Sequence, residues 1–269
     1  MTKIIALDLD GTLLDDKKNI SNNNIMALND FLDAGNVVCI DTGRPIRAMK
    51  FLLEPYELFR RKNVYLLGFQ GSLGYCVSEN RYLFKNYLDK DKAIELITLA
   101  LSKNLTALAF DEDKIYASCI NDVLLRYNQH TNEPVKLFDS PMELLNVNIC
   151  KIMIIDYEDK NRLVSIRDEF STSAKGYLES MFSSPYFLEY IKFNTSKGQG
   201  LNNLCRRLNI SLANAIAVGD ECNDISMIKV AGIGVAMANA NKEVKLVADY
   251  VTKNDNNNDA IAEVIKKWG

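Results

Sequence analysis

A short apolar run, Ile4-Ile5-Ala6-Leu7, ends abruptly in Asp8-Leu9-Asp10-Gly11-Thr12. Strands buried on both faces of a parallel sheet read as uninterrupted apolar runs, and open α/β sheets bind ligands beyond the carboxyl ends of those strands. The run therefore predicts a central strand that delivers two carboxylates, followed by a glycine for a sharp turn, to a binding edge. The same residues alone also suit a strand that stops at a solvated acidic turn.

The rhythm recurs. Val37-Val38-Cys39-Ile40 runs into Asp41-Thr42-Gly43-Arg44-Pro45, residues 64–69 form a third apolar run, and Ala215-Ile216-Ala217-Val218 leads into Gly219-Asp220-Glu221-Cys222-Asn223-Asp224. Between the first two runs, Ser21 is placed to cap a helix, with Ile20 and Ile25 as a hydrophobic staple. Ile25, Leu28, Phe31 and Leu32 share one helical face, and Gly35 ends it. Strand and helix in alternation predict an α/β fold with a Rossmann-like parallel sheet. Between residues 82 and 187 the pattern changes to a hairpin at 105–119, further half-exposed strands at 148–156, 176–183 and 187–193, and a helix near 160–170. We expect a core domain of residues 1–81 and 188–269 interrupted by an inserted α+β domain of residues 82–187.

Composition narrows the partners. A formal net charge of −3 offers no basic field for a nucleic acid backbone. Nowhere do about 18 consecutive apolar residues occur, and no long apolar stretch precedes Asp8, so a membrane span or signal peptide is not expected. The six cysteines are scattered without a Cys-x-x-Cys pair, which fits a reducing cytoplasm. The single histidine, His130, lies in the polar stretch Asn128-Gln129-His130-Thr131-Asn132 and reads as a surface residue. Histidine-based nucleophilic triads and most zinc sites are thereby disfavoured.

The strand exits supply complementary chemistry. Thr42 and the backbone N–H of Gly43 precede a helix start, where anions are favoured, although taken alone they read as a plain helix cap. Lys197, in Thr195-Ser196-Lys197-Gly198, can bring a point charge to the same edge; taken alone it reads as a surface lysine. Asp220 and Asp224 flank Asn223 in a loop that ends on the apolar face of Ile225, Met227 and Ile228. Together, paired acids, a hydroxyl beside backbone amides, a lysine and a second acid pair suit phosphoryl transfer on Mg²⁺.

In these four segments the chain resembles the haloacid dehalogenase (HAD) superfamily, and within it the Cof-type branch with a type IIB cap. The motifs are Asp8-Leu-Asp10-Gly-Thr, Thr42-Gly43-Arg44-Pro45, Lys197-Gly198 and Gly219-Asp220-x-x-Asn223-Asp224. One departure stands at Gln70-Gly71-Ser72, where Cof-type relatives usually read Asn-Gly-Ala. The resemblance implies a Mg²⁺-dependent phosphatase that hydrolyses a small phosphorylated metabolite, a sugar phosphate or similar, through an aspartyl-phosphate, with no protein partner implied. Asp8 would be the nucleophile and Asp10 the general acid and base. The Asp8 carboxylate, the Asp10 backbone carbonyl and the Asp220 carboxylate would hold the metal, with Asp224 supporting them from behind. Thr42, Gly43, Lys197 and Asn223 would grip the phosphate. The two acids should be tuned apart, Asp8 kept ionised by metal and Asp10 kept protonated in a drier setting. The insert would act as a lid, with Tyr116, Tyr127, Tyr186 and Tyr190 either lining a sugar site or belonging to its core. A phosphomutase of the phosphomannomutase type is the nearest alternative, and a non-enzymatic phospho-ligand sensor is a third reading.

Overall fold

The first apolar run is a strand, β1 (Ile4–Leu7), whose four side chains are all at 0% exposure in the computed structural model. Burying each Ile or Leu contributes about 1.5–3 kcal/mol, which makes this strand a stable axis for the sheet around it. The structure describes every residue except Asn132, and the side chain of His130 is also outside the description. The reading of His130 as a surface residue thus lies outside the described residues.

After β1 the chain forms α1 (Asn22–Asp33), where the Ser21 side chain accepts from the Asn24 N–H as the N-cap. Then come β2 (Val37–Asp41), α2 (Ile46–Leu53) and β3 (Val64–Gly68), followed by β4 (Leu73–Cys76) and β5 (Arg81–Lys85). The second unit contains α3 (Lys90–Ser102), β6 (Thr106–Phe110), β7 (Ile115–Ala117), α4 (Asp122–Thr131), β8 (Val135–Leu137), β9 (Lys151–Ile155), α5 (Lys160–Ala174), β10 (Leu178–Ser184) and β11 (Phe187–Lys192). The first unit resumes with α6 (Lys197–Leu208), β12 (Ala215–Gly219), α7 (Ile225–Val230), β13 (Ile233–Ala236), α8 (Lys242–Val247), β14 (Tyr250–Val251) and α9 (Ala260–Trp268).

Among the described residues the sheet of the first unit runs β14-β13-β12-β1-β2-β3-β4-β5. Pairing is parallel from β14 to β3 and antiparallel from β3 to β5. From β1 the chain builds outward through β2 and β3, then returns to β1's other side and builds outward through β12 to β14. The strand order therefore reverses between β1 and β12, and open α/β sheets place their ligand crevice at such a switch point. The Asp8 N–H continues that pairing by donating to the Val218 carbonyl at 3.0 Å.

In the second unit the described strands run β10-β11-β9-β6-β7-β8. Ala107, Ala109, Ile152, Ile154, Leu188 and Tyr190 turn one face of this sheet toward Leu96, Leu163 and Phe170 of its helices. Tyr116 and Tyr190 belong to this core, whereas Tyr186 is exposed. Tyr127 packs edge-on to Phe110 and Phe187.

The units divide after Lys85 and after Thr195, which corrects the expected borders at 81/82 and 187/188. Residues 82–85, assigned from the sequence to the insert, belong instead to β5, which pairs with β4 at the edge of the first sheet. Phe187 to Lys192 pairs with both β9 and β10, so it completes the insert. No helix is long and apolar enough to cross a membrane among the described residues. Cys39, Cys76, Cys150 and Cys205 are buried and Cys119 and Cys222 exposed, all as free thiols.

Candidate active site

The carboxyl ends of β1 and β12 carry Asp8 and Asp220, at 7% and 8% exposure. Asp224 follows in the turn before α7 and is fully buried. Ligand oxygens of Asp8, Asp220 and Asp224 all lie within 4.8 Å of one another. The turn is held by Asp224 itself: its Oδ2 accepts the N–H groups of Asp220 and Glu221, each at 2.9 Å. Thr12 reaches over from the β1 exit, its hydroxyl donating to Asp220 Oδ1 at 2.8 Å.

Lys197 is the first residue of α6, and Ser196 caps that helix, its side chain accepting the Gln199 N–H. The lysine is fully buried, and Nζ donates to Asp8 Oδ1 and to Asp224 Oδ1, both at 2.5 Å. Asp41, the last residue of β2, is also fully buried, and neither of its oxygens has a hydrogen-bond partner among the described residues. Register places Leu7 opposite Ile40, so Asp8 and Asp41 leave adjacent strands side by side.

Asp10 turns away from this group. Arg44 Nε donates to its Oδ2 at 2.6 Å and Arg44 Nη2 to its Oδ1 at 2.9 Å, and Lys18 Nζ donates to Oδ1 at 2.7 Å. Thr42 and Gly43 follow β2, with the Thr42 N–H donating to the Leu67 carbonyl at 3.0 Å. The Asn223 side chain donates to Gln70 Oε1 at 3.1 Å.

The chain matches the haloacid dehalogenase-like hydrolase family over residues 5–265. It belongs to that family. The HAD-like chain is 31% identical over 266 residues to the 5-amino-6-(5-phospho-D-ribitylamino)uracil phosphatase YcsE of Bacillus subtilis, covering 99% of this chain and 95% of that protein. It is 29% identical over 277 residues to another protein of that activity name, YitU of the same organism, with 98% and 97% covered. Among solved structures, a haloacid dehalogenase-like hydrolase from Bacteroides thetaiotaomicron superposes with a TM-score of 0.88 at 28% identity, covering 99% of each chain. The protein is thus an enzyme of the HAD phosphatase family, with the α/β fold of that family.

The electrostatics of this HAD site derive from burial and charge count. Burial pushes the Asp8 carboxyl up to about 8; Lys197 opposes the shift and Asp224 reinforces it. Burial likewise raises Asp220 to about 6 against the pull of the Thr12 hydroxyl. For Asp41, burial together with Asp224 and Asp8 outweighs the nearby Lys197 and holds the carboxyl well above its ordinary range. Burial works against the Lys197 charge, but Asp224, Asp8 and Asp41 outweigh it and keep the ammonium protonated.

Asp10 behaves oppositely. Its partial burial would raise it, but Arg44 and then Lys18 lower it below the usual carboxylate range. This corrects the expectation that Asp10 is held protonated. Without a bound cation the acid held up is Asp8, because burial, reinforced by Asp224, outweighs Lys197, whereas Asp10 has Arg44 and Lys18 against it.

The donor set suits a hard divalent cation. Three buried carboxylates surround one ammonium, and their oxygens are close enough to converge on a single ion. Thr12, Lys18, Arg44, Asp41 and Gln70 complete the arrangement, although sequence alone assigns them no role. For Thr12 and Arg44 the signal is their place inside two of the motifs. For Asp41 it is an acid ending an apolar run, and for Lys18 there is none.

Proposed function

We propose that this enzyme is a Mg²⁺-dependent phosphatase acting on a small phosphorylated metabolite, a sugar or polyol phosphate, through an aspartyl-phosphate at Asp8. One observation carries the reading: Asp8 lies buried against Lys197, with ligand oxygens of Asp220 and Asp224 within 4.8 Å. The polyol phosphate in the names of the two Bacillus subtilis relatives supports the substrate class.

Asp8, the Asp10 backbone carbonyl and Asp220 would hold the cation, and Asp224 would keep Lys197 and the turn in place. When bound, Mg²⁺ would neutralise phosphate oxygens and favour the ionised form of Asp8. The Asp8 carboxylate then attacks phosphorus in line; the new P–O bond forms as the ester P–O bond breaks, and the departing alkoxide takes a proton from Asp10. A water molecule next attacks the phosphorus, gives its proton to Asp10, and releases phosphate as the bond to Asp8 breaks. Thr42, Gly43, Lys197 and Asn223 neutralise and orient the phosphate. Arg44 and Lys18 hold Asp10 ionised at rest, and an arriving dianion competes for them, which returns Asp10 toward a proton-carrying acid.

The test is phosphate release from a panel of phosphorylated sugars, polyols, nucleotides and cofactors, with Mg²⁺ and with EDTA. Release by at least one class with Mg²⁺ and none with EDTA is the expected result. Turnover that EDTA leaves unchanged, or none across the panel, would overturn the reading.

A further inference from the structure

Phe69, Gln70 and Gly71 link β3 to β4 with three consecutive left-handed backbones, at φ of 50°, 58° and 81°. For the first two residues this conformation is uncommon and costly, and it persists only where the surroundings impose it. The surroundings here are the segments that carry the phosphate-binding residues. The Gln70 N–H donates to the Thr42 carbonyl at 3.1 Å, and the Phe69 N–H donates to the Arg44 carbonyl at 3.1 Å. Gly71 lies against the first turn of α6, the turn that bears Lys197; a Cβ there would stand 2.5 Å from the Ser196 carbonyl oxygen.

The left-handed turn drives the Gln70 side chain inward, to 4% exposure. There its Oε1 accepts the Asn223 amide at 3.1 Å. Gly43 leaves room for the carboxamide: a Cβ at that position would stand 2.7 Å from Gln70 Nε2. Asn223 Oδ1 is buried without a partner, so the bond to Gln70 is the side chain's anchor among the described residues. An asparagine at position 70 would be one methylene shorter.

We propose that Gln70 is a positioning residue of the phosphate site, acting through Asn223: its carboxamide fixes the direction in which the Asn223 amide meets the transferred phosphate. This rests on the reading of the site as one for phosphoryl transfer. The strained loop is the device that brings the carboxamide to Asn223, and the longer glutamine spans the gap between the two turns.

The test compares Gln70→Gly, Gln70→Met, Asn223→Ala and the double variant Gln70→Gly/Asn223→Ala with the wild-type protein, all with Mg²⁺. Glycine accepts the left-handed backbone without strain while deleting the carboxamide, and methionine keeps the length while deleting its hydrogen bonds. Inorganic phosphate affinity by calorimetry and KM for p-nitrophenyl phosphate are the readouts, with Tm recorded for each. Loss of the anchor for one polar side chain should weaken phosphate binding and raise KM by about tenfold in both Gln70 variants. The double variant should match Asn223→Ala within about twofold, because Gln70 acts through that residue.

Wild-type phosphate affinity in the Gln70 variants, with or without a lowered Tm, would overturn the proposal. So would effects that multiply in the double variant. A wild-type protein that hydrolyses no ester yet binds phosphate in a Gln70-dependent way would refute the phosphatase reading and sustain this one. A wild-type protein that binds no phosphate would refute both.

Discussion

Lys197 Nζ donates to Asp8 Oδ1 at 2.5 Å across a chain separation of 189 residues. Both groups are buried, so the lysine is the counter-charge that lets Asp8 and Asp224 occupy one site. Breaking a buried pair from one side strands the other charge. Lys197→Met keeps the length of the side chain and should cost about 3–5 kcal/mol of stability without a divalent cation at pH 8, by urea denaturation. Phosphate release should fall by at least about a hundredfold. Wild-type stability in this variant would contradict the counter-charge role.

Asp8→Asn removes the proposed nucleophile while keeping its shape. The fold should survive, since one acid of a crowded group is neutralised, and turnover should fall by at least about ten-thousandfold. Phosphate release and thermal melting check the two halves. A variant that retained a tenth of the wild-type rate would remove Asp8 from the nucleophile's role.

Cation binding requires ionised carboxylates, and burial holds Asp8 up to about 8 and Asp220 up to about 6. Mg²⁺ affinity should therefore climb as pH rises from 6 to 8, with protons released on binding. Calorimetry in buffers of different ionisation enthalpy measures that release. An affinity independent of pH over this interval would count against Asp8 and Asp220 as ligands.

Asp10→Asn should trap the phosphoryl-enzyme, because no group remains to activate water; intact-mass measurement after mixing with substrate detects it. Arg44→Met tests the same carboxyl from the other side. Arg44 lowers Asp10 in the free enzyme, and an acid works only below its own pKa, so losing the guanidinium should move the alkaline limb of kcat/KM to higher pH. A limb that stays in place would separate Asp10 from proton transfer.

Asp41 is fully buried with no hydrogen-bond partner for either oxygen among the described residues, and its pKa is raised on folding. The native state thus binds a proton more tightly than the unfolded chain, so this group's favourable contribution is full below the ordinary carboxylate pKa and is lost as pH rises through the raised value. Asp41→Asn should stabilise the metal-free protein at neutral pH by about 1–3 kcal/mol and flatten the decline toward alkaline pH. Urea denaturation across pH checks it, and a destabilised variant would mean that the charge at Asp41 supports the fold through Lys197.

The parallel sheet was legible because buried strands such as Ile4–Leu7 and Ala215–Gly219 leave apolar runs that end in acids. The placement of β5 was not. Arg81 and Lys85 read as exposed ends, and only the long-range pairing with β4 assigns that strand to the core sheet. The acids and Lys197 could be named from their segments, but a sequence holds no record of burial. A lysine before a glycine reads as solvated, whereas this one is sealed among carboxylates that lie far away along the chain. Asp10 shows the converse, since nothing in its own segment announces that Arg44 and Lys18 will claim it.

The sheet order also bears on how the enzyme is born. β1 is made before the insert, yet its neighbour β12 is made after all of it. Until β12 has been made, Asp8 lacks Asp220 and Asp224. The three acids share one site only once the segment Ser196–Gly269 pairs beside the first strand, so a chain truncated before β12 lacks two of them.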